Sequence, residues 1–134
     1  MLFDAADEMR ERRMRRRQTI LDAALRCFLV RGVEATTMDR IRTASGASIG
    51  TIYHLFEGKE EIALTLHREG RHDYERGFLD LLVDRGPEFG VKAAVSHHLR
   101  WVRRNRPLAL FIHLCPRPEA QRWLPAQAWA SLAP

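Results

Sequence analysis

Residues 36–56 contain two signals for the start of a helix, separated by one tight turn, and this segment restricts the fold more than any other part of the chain. Thr36 and Thr37 can each cap the first helix, because a threonine oxygen accepts a backbone N–H from the first turn. Ser48 can cap the second helix in the same way. Between them, Gly46 suits a turn that requires positive φ. The spacing therefore predicts two short helices joined by a tight turn.

The rest of the chain has the apolar periodicity of helices. Ile20, Ala24 and Phe28 recur at i, i+4 and i+8, so they lie on one face of a helix. This helix precedes the two short ones, and Gly32 would end it. No strand pattern or long-period repeat is present, so the sequence predicts an all-α fold. The later predicted helices lie at about residues 59–84, 88–104 and 108–115, with a final one around Trp123 and Trp129.

Composition favours a soluble protein with an anionic partner. The chain has 134 residues, of which 46% are hydrophobic and 29% charged, with a net charge of +5 and a pI near 10.0. Its start has no secretory signal, and the apolar run at residues 108–114 is too short to span a bilayer. We therefore expect a cytoplasmic protein without a membrane partner. Cys27 and Cys115 are expected to be buried, reduced thiols.

The second of the two short helices would present small and hydroxyl side chains to solvent. Ile52 and Phe56, four residues apart, form its inward face and leave the opposite face for contacts. A short helix of this kind can enter the major groove of duplex DNA. Lys59 follows closely and is placed to meet a phosphate. The sequence therefore indicates binding to double-stranded DNA.

Six arginines lie between residues 10 and 17. One interpretation is a solvated helix start or a frayed arm. The other is an arm that lies along the DNA backbone, where it gains affinity by releasing counterions but reads no sequence. We favour the second because a helix-turn-helix segment follows it. The candidate phosphate-contacting residues of this arm are Arg13, Arg15, Arg16 and Arg17.

Together these residues resemble the amino-terminal domain of TetR-type transcriptional regulators over about residues 18–66. The resemblance implies a three-helix DNA-binding domain at residues 14–74, with its helix-turn-helix motif at 37–56. A short helical domain for ligand binding and dimerisation, residues 87–134, would follow. The motif positions that carry the resemblance are Ile20, Ala23, Ala24, Phe28, Gly32, Thr36, Thr37, Ile41, Ala44, Gly46, Ser48, Gly50, Thr51, Ile52, Tyr53, Phe56, Lys59 and Glu60.

The resemblance also implies roles for individual residues. Thr37 would contact a phosphate, and so would Lys59, beside the favourable dipole of a helix N-terminus. Tyr53 and His54 match positions that hold phosphate or touch bases. The leading end of the DNA-reading helix would be formed by Ser48, Ile49, Gly50 and Thr51.

Two positions and the length depart from the family pattern. Arg42 stands where a small residue is usual, and Ile49 where a polar or basic residue is common. Ile49 can touch a thymine methyl, but it cannot read a purine by hydrogen bonds. Family members usually continue further, into helices that form the dimer interface. Two hypotheses follow: a homodimeric repressor of a near-palindromic operator, or a truncated interaction protein that pairs with a full-length regulator.

The carboxyl-terminal half offers a candidate site for a small-molecule effector. His97, His98 and Trp101 are candidates for lining such a pocket, with ordinary core packing as the alternative. His67 and His72 are five residues apart and cannot share a helix face, so we expect no metal site and no cofactor. The sequence contains no phosphate loop, nucleophile elbow or convincing pair of carboxylates, so we do not expect an enzyme.

Overall fold

The computed structural model of the chain describes residues 4–81 and 86–115. This part of the chain is helical and contains no strand, which confirms the predicted all-α fold. Its six helices are α1 (Ala5–Ala35), α2 (Met38–Ser45), α3 (Ile49–Leu55), α4 (Lys59–Leu79), α5 (Pro87–Arg104) and α6 (Arg106–Leu114).

The chain divides into two compact units between Ala63 and Leu64, inside α4. The domain limits derived from the sequence, 14–74 and 87–134, stay predictions. The proposed final helix around Trp123 and Trp129 lies outside the described residues.

The first unit buries the apolar stripe predicted for α1. Ile20 and Ala24 are completely buried and Phe28 is 1% exposed. Fully burying a side chain such as Phe28 stabilises a fold by about 1.5–3 kcal/mol. The other helices of this unit add their own buried apolar residues to the core. These are Ile41 of α2, Ile52 of α3, Phe56, and Ile62 and Ala63 of α4.

Ala44, one of the motif positions, does not share the buried face of α2 with Ile41. Ile41 is completely buried, but Ala44 is exposed. The inward face of α2 instead follows Met38, Ile41 and Ser45, which are i, i+3 and i+7 on a helix of eight residues. Ala44 instead lines a groove between α1 and α2.

The predicted break at Gly32 is confirmed. Gly32 adopts φ 78° and ψ 164° inside α1, a conformation that L side chains rarely adopt. Helical hydrogen bonding resumes for a few residues and ends at Ala35. The Thr36 hydroxyl is buried and donates a hydrogen bond to the Gly32 carbonyl at 2.7 Å, which fixes the path of the chain towards α2.

In the second unit, α4 continues through Gly70 and Gly77 and ends at Leu79, earlier than predicted. Both glycines permit close helix packing. A Cβ added to Gly70 would lie 2.6 Å from Ile112 Cδ1, and one added to Gly77 would lie 2.5 Å from His97 Cε1. α5 begins at Pro87, which suits the first turn of a helix because proline lacks an N–H.

The two thiols are free, but they are half-buried and not fully buried as expected. Burial raises the pKa of the Cys115 thiol above its ordinary value, which favours the protonated form. None of the helices in the described residues is both long enough and apolar enough to cross a membrane. Within residues 4–81 and 86–115, no group of histidine, cysteine and acidic residues could hold a metal ion.

Candidate functional site

The turn between α2 and α3 is built by the residues that the sequence singled out. Thr37, not Thr36, caps α2, and its Oγ1 accepts the Arg40 N–H at 3.2 Å. Gly46 ends that helix in the left-handed region, at φ 71° and ψ 3°. Ser48 caps α3, with its Oγ accepting the Thr51 N–H at 3.2 Å. The predicted helix-turn-helix geometry is therefore present.

The outward face of α3 has no side chain at Gly50, one residue after the helix begins at Ile49. Ile49 is 42% exposed and Tyr53 is 53% exposed, while Ile52 on the opposite face is completely buried. Gly50 is exposed, and a Cβ added there would meet nothing within 4 Å. His54 is exposed one residue beyond Tyr53. Another surface can therefore approach the α3 backbone closely at Gly50.

The hydroxyl groups of Ser48 and Thr51 are already paired with each other. Their Oγ and Oγ1 atoms are 2.8 Å apart, and either can act as the donor. Thr51 is half-buried, whereas Ser48 is exposed. Because the same Ser48 oxygen also caps α3, this pair fixes the Thr51 rotamer at the start of the helix.

The arginine-rich segment is a regular part of α1, not a frayed arm. α1 begins at Ala5, after Asp4, whose carboxylate accepts the Ala6 N–H at 3.4 Å. One side of this segment and one side of α3 form the walls of a cleft of about 770 Å³. The cleft is lined by Met9, Arg10, Arg12, Arg13, Arg16, Gly50, Thr51, His54 and Leu55.

The four predicted arm residues occupy different environments. Arg13 and Arg16 line the cleft, but Arg15 and Arg17 do not. The Arg17 guanidinium lies 5.7 Å from the centroid of the Phe56 ring, a distance at which a cation and a ring attract each other. Arg10 and Arg12 line the cleft although they were not selected as arm residues. Helical periodicity places Arg12 and Arg16 on one face of α1, but the sequence does not show that this face meets α3.

Lys59 contacts the protein itself. Its Nζ donates hydrogen bonds to the Glu34 carbonyl at 2.6 Å and to the Thr36 carbonyl at 2.9 Å. These bonds tie the first residue of α4 to the segment that leads into Thr37. An ammonium group has three N–H donors, so one donor stays available for a phosphate. The phosphate contact itself stays a prediction.

Arg42, which departs from the family pattern, is paired with Asp39. Its Nη2 lies 2.8 Å from Asp39 Oδ1, and the two side chains are 44% and 75% exposed. An ion pair this exposed contributes at most about 1 kcal/mol. The pair holds Arg42 along α2, with the Asp39 carboxylate in the favourable first turn.

Only two of the three candidate effector residues lie together. His98 and Trp101 line a cavity of about 760 Å³ in the second unit, whereas His97 does not. His97 packs against Tyr74, with ring centroids 5.0 Å apart, and its Nε2 lies 3.0 Å from the Tyr74 carbonyl oxygen. The physical reason is the helical step, since adjacent residues point about 100° apart around α5.

Residues 20–66 match the sequence model of a family described as bacterial regulatory proteins, tetR family. The chain is 47% identical over 53 residues to the HTH-type transcriptional repressor AcnR of Corynebacterium efficiens, a match covering 40% of this chain and 28% of AcnR. It is 37% identical over 81 residues to the HTH-type transcriptional regulator SrpR of Pseudomonas putida, covering 60% of this chain and 38% of SrpR. The chain thus spans less than half the length of these two relatives.

The fold is similar to that of a bacterial regulatory protein of the tetR family from Rhodococcus RHA1. The TM-score is 0.68 at 22% sequence identity, and the similarity covers 87% of this chain and 60% of that protein. Residues 20–66 therefore form a helix-turn-helix domain similar to that of the tetR family of bacterial regulatory proteins, and the described helices share the fold of a member of that family.

Proposed function

We propose that this chain is a DNA-binding transcriptional repressor, without catalytic activity, that places α3 in the major groove of its operator. The observation that carries the proposal is the surface formed by α3 and the arginine-rich part of α1. A small leading face, open at Gly50, lies beside a cleft with four arginines. Such a surface combines close approach to base edges with attraction to phosphates.

The contacts divide into two kinds. Thr37, Tyr53 and Lys59 are proposed to position the protein on the phosphate backbone. The residues proposed to face the bases are Ser48, Ile49, Gly50, Thr51 and His54. The hydroxyl groups of Ser48 and Thr51 form a hydrogen bond with each other. We therefore expect the exposed His54 to contribute more to base preference than either hydroxyl.

The arginine-lined wall of the cleft should supply affinity without sequence preference. Replacing Arg13 and Arg16 together by glutamine removes two cations from this wall. We expect the plot of log affinity against log salt to become less steep by about 1.8, since each neutralised phosphate contributes about 0.9. Binding to operator and to unrelated DNA should weaken in parallel, as measured by fluorescence anisotropy over a salt series.

The matched control replaces Arg103 and Arg104, two exposed arginines at the end of α5. This pair should leave the salt slope unchanged. If the variant with glutamine at both Arg13 and Arg16 kept the parental slope of log affinity against log salt, the cleft would not face DNA.

We further propose that the chain acts as a homodimer on a near-palindromic operator, with one α3 in each of two successive major grooves. The described part of α5 exposes an apolar stripe suited to association. Val91, Val95 and Leu99, at i, i+4 and i+8, are 65%, 56% and 50% exposed. A small molecule that binds the second unit would then favour a dimer geometry that no longer fits the operator.

Light scattering on the purified chain, with and without DNA from its own upstream region, tests this function. We expect a dimer that binds one DNA site, and a monomer when Val95 is replaced by glutamate. A monomer that binds no DNA alone, but forms a mixed dimer with a full-length relative, would instead establish the interaction-protein alternative.

A further inference from the structure

The second unit contains a cavity of about 760 Å³ whose walls come from α4, α5 and α6. Each helix contributes one face. Tyr74 belongs to α4, Trp101 and Val102 to α5, and Leu110 and Ile112 to α6. The volume lies in the range of sites for small molecules, which are mostly apolar with a few placed polar groups.

The aromatic part of this cavity is held in place by its own contacts. The Tyr74 and Trp101 rings meet edge to face, with centroids 5.3 Å apart. The Tyr74 hydroxyl lies 3.2 Å from His98 Nδ1, and Trp101 Nε1 donates to Asp73 Oδ2 at 2.8 Å. Because the polar atoms of both rings have partners within the chain, their remaining surface is available to an apolar molecule.

Two arginines line the same cavity, and they differ in their charge balance. Arg71 Nη2 lies 3.3 Å from Glu75 Oε1, so a neighbouring carboxylate offsets its charge. Arg106 is exposed, and it forms no ion pair with a carboxylate of residues 4–81 or 86–115. Among the described residues, Arg106 is therefore the arginine of this cavity whose charge no neighbouring carboxylate offsets.

The position of Arg106 in its helix adds to this charge. Arg106 is the first residue of α6, whose first turn contains no acidic residue and whose N-cap, Asn105, makes no side-chain cap. The N-terminus of a helix favours negative charge, so a cation there is unfavourable on its own. An anion bound beside Arg106 would offset both positive features.

We propose that this cavity binds an amphipathic monoanion, with an aromatic body against Tyr74 and Trp101 and one acidic group at Arg106. The assignment of this molecule as the effector rests on the proposed function. The binding site itself rests only on the cavity and its charges.

A pair of dyes that differ in one charge tests the proposal on the full chain. Anilinonaphthalenesulfonate carries an aromatic body and one sulfonate, and phenylnaphthylamine has the same body without the charge. We expect the charged dye to bind more tightly, and Arg106→Gln to raise its Kd about tenfold, the loss expected for a charge-assisted contact. The Kd of the neutral dye should change by less than about twofold.

Two further variants separate a local charge effect from a general one. Arg106→Lys keeps the charge and should retain most of the affinity for the sulfonate. Arg103→Gln removes an exposed arginine that does not line the cavity, and it should leave both dyes unaffected. Equal binding of the two dyes, or equal loss of the sulfonate in the Arg106→Gln and Arg103→Gln variants, would overturn the proposal.

A DNA-binding measurement on the same samples tests the effector assignment separately. We expect the sulfonate to release the chain from operator DNA, and to do so less effectively in Arg106→Gln. If the chain binds no DNA even without dye, the proposed function fails while the dye titration still decides the site. If the sulfonate binds through Arg106 but DNA is not released, the site stands and its role as effector site is refuted.

Discussion

Replacing Gly50 by leucine should lower affinity for operator DNA by at least about a hundredfold while leaving the chain folded. That loss corresponds to about 2.7 kcal/mol. The major groove is about 12 Å wide, close to the diameter of a helix with its side chains, so α3 can approach the bases only where its face is small. Gly50 is the residue that keeps the leading end of that face small.

Within the chain, the same substitution should be neutral or stabilising. A Cβ at Gly50 meets no atom within 4 Å. Glycine within a helix lowers fold stability by about 0.5–1 kcal/mol relative to alanine. Thermal unfolding and DNA titration of Gly50→Ala and Gly50→Leu would measure the two effects separately. DNA affinity should fall in the order glycine, alanine, leucine.

Gly90 in α5 provides the matched control, because a Cβ added there also meets nothing within 4 Å. Gly90→Leu should leave DNA affinity within about twofold of the parent. If Gly50→Leu bound DNA as well as Gly90→Leu does, α3 would not be the element that enters the groove.

Replacing Lys59 by methionine should reduce both fold stability and DNA affinity. The carbonyls of Glu34 and Thr36 would lose a charged donor, and we expect the free energy of unfolding to fall by about 1–3 kcal/mol. Loss of one phosphate contact should also reduce the salt slope of binding by about one. Denaturant unfolding and a salt series of DNA titrations measure the two losses independently.

Lys59→Arg separates these two roles. The guanidinium keeps the charge, so the salt slope should be retained, but its planar fork cannot reproduce the compact contact with two carbonyls. Stability should therefore fall below that of the parent. Lys92→Met is the control, because Lys92 forms an exposed ion pair with Glu88 at 3.3 Å, and a pair this exposed contributes little to stability. A Lys59→Met variant that unfolds like Lys92→Met and keeps the parental salt slope would contradict both roles.

Local signals in the sequence were sufficient to predict the helix-turn-helix. Caps at Thr37 and Ser48 and the positive φ at Gly46 depend on residues within three or four positions of each other. The buried face of α1 followed from periodicity for the same reason. Such features need no knowledge of the tertiary arrangement.

Contacts between distant residues could not be predicted in this way. Lys59 bonds to a carbonyl 25 residues away, and the packing of His97 depends on how closely α5 approaches Gly77 of α4. Gly70 and Gly77 allow neighbouring helices to pack closely against α4, although glycine is a poor helix former. In each case the deciding partner lies on another helix, and a single sequence does not show which helices meet.

The helical state of the arginine-rich segment changes the thermodynamics expected for DNA binding. A disordered arm would lose about 1–2 kcal/mol of backbone entropy for each residue ordered on DNA. Here α1 is continuous from Ala5 to the buried stripe at Ile20, so that cost is met when the first unit folds. From Arg10 to Arg16 the helix rises about 9 Å, so the spacing of these arginines is fixed before any DNA is bound. If the segment contacts DNA as proposed, unwinding the first turns of α1 should weaken DNA binding without altering the exposed face of α3.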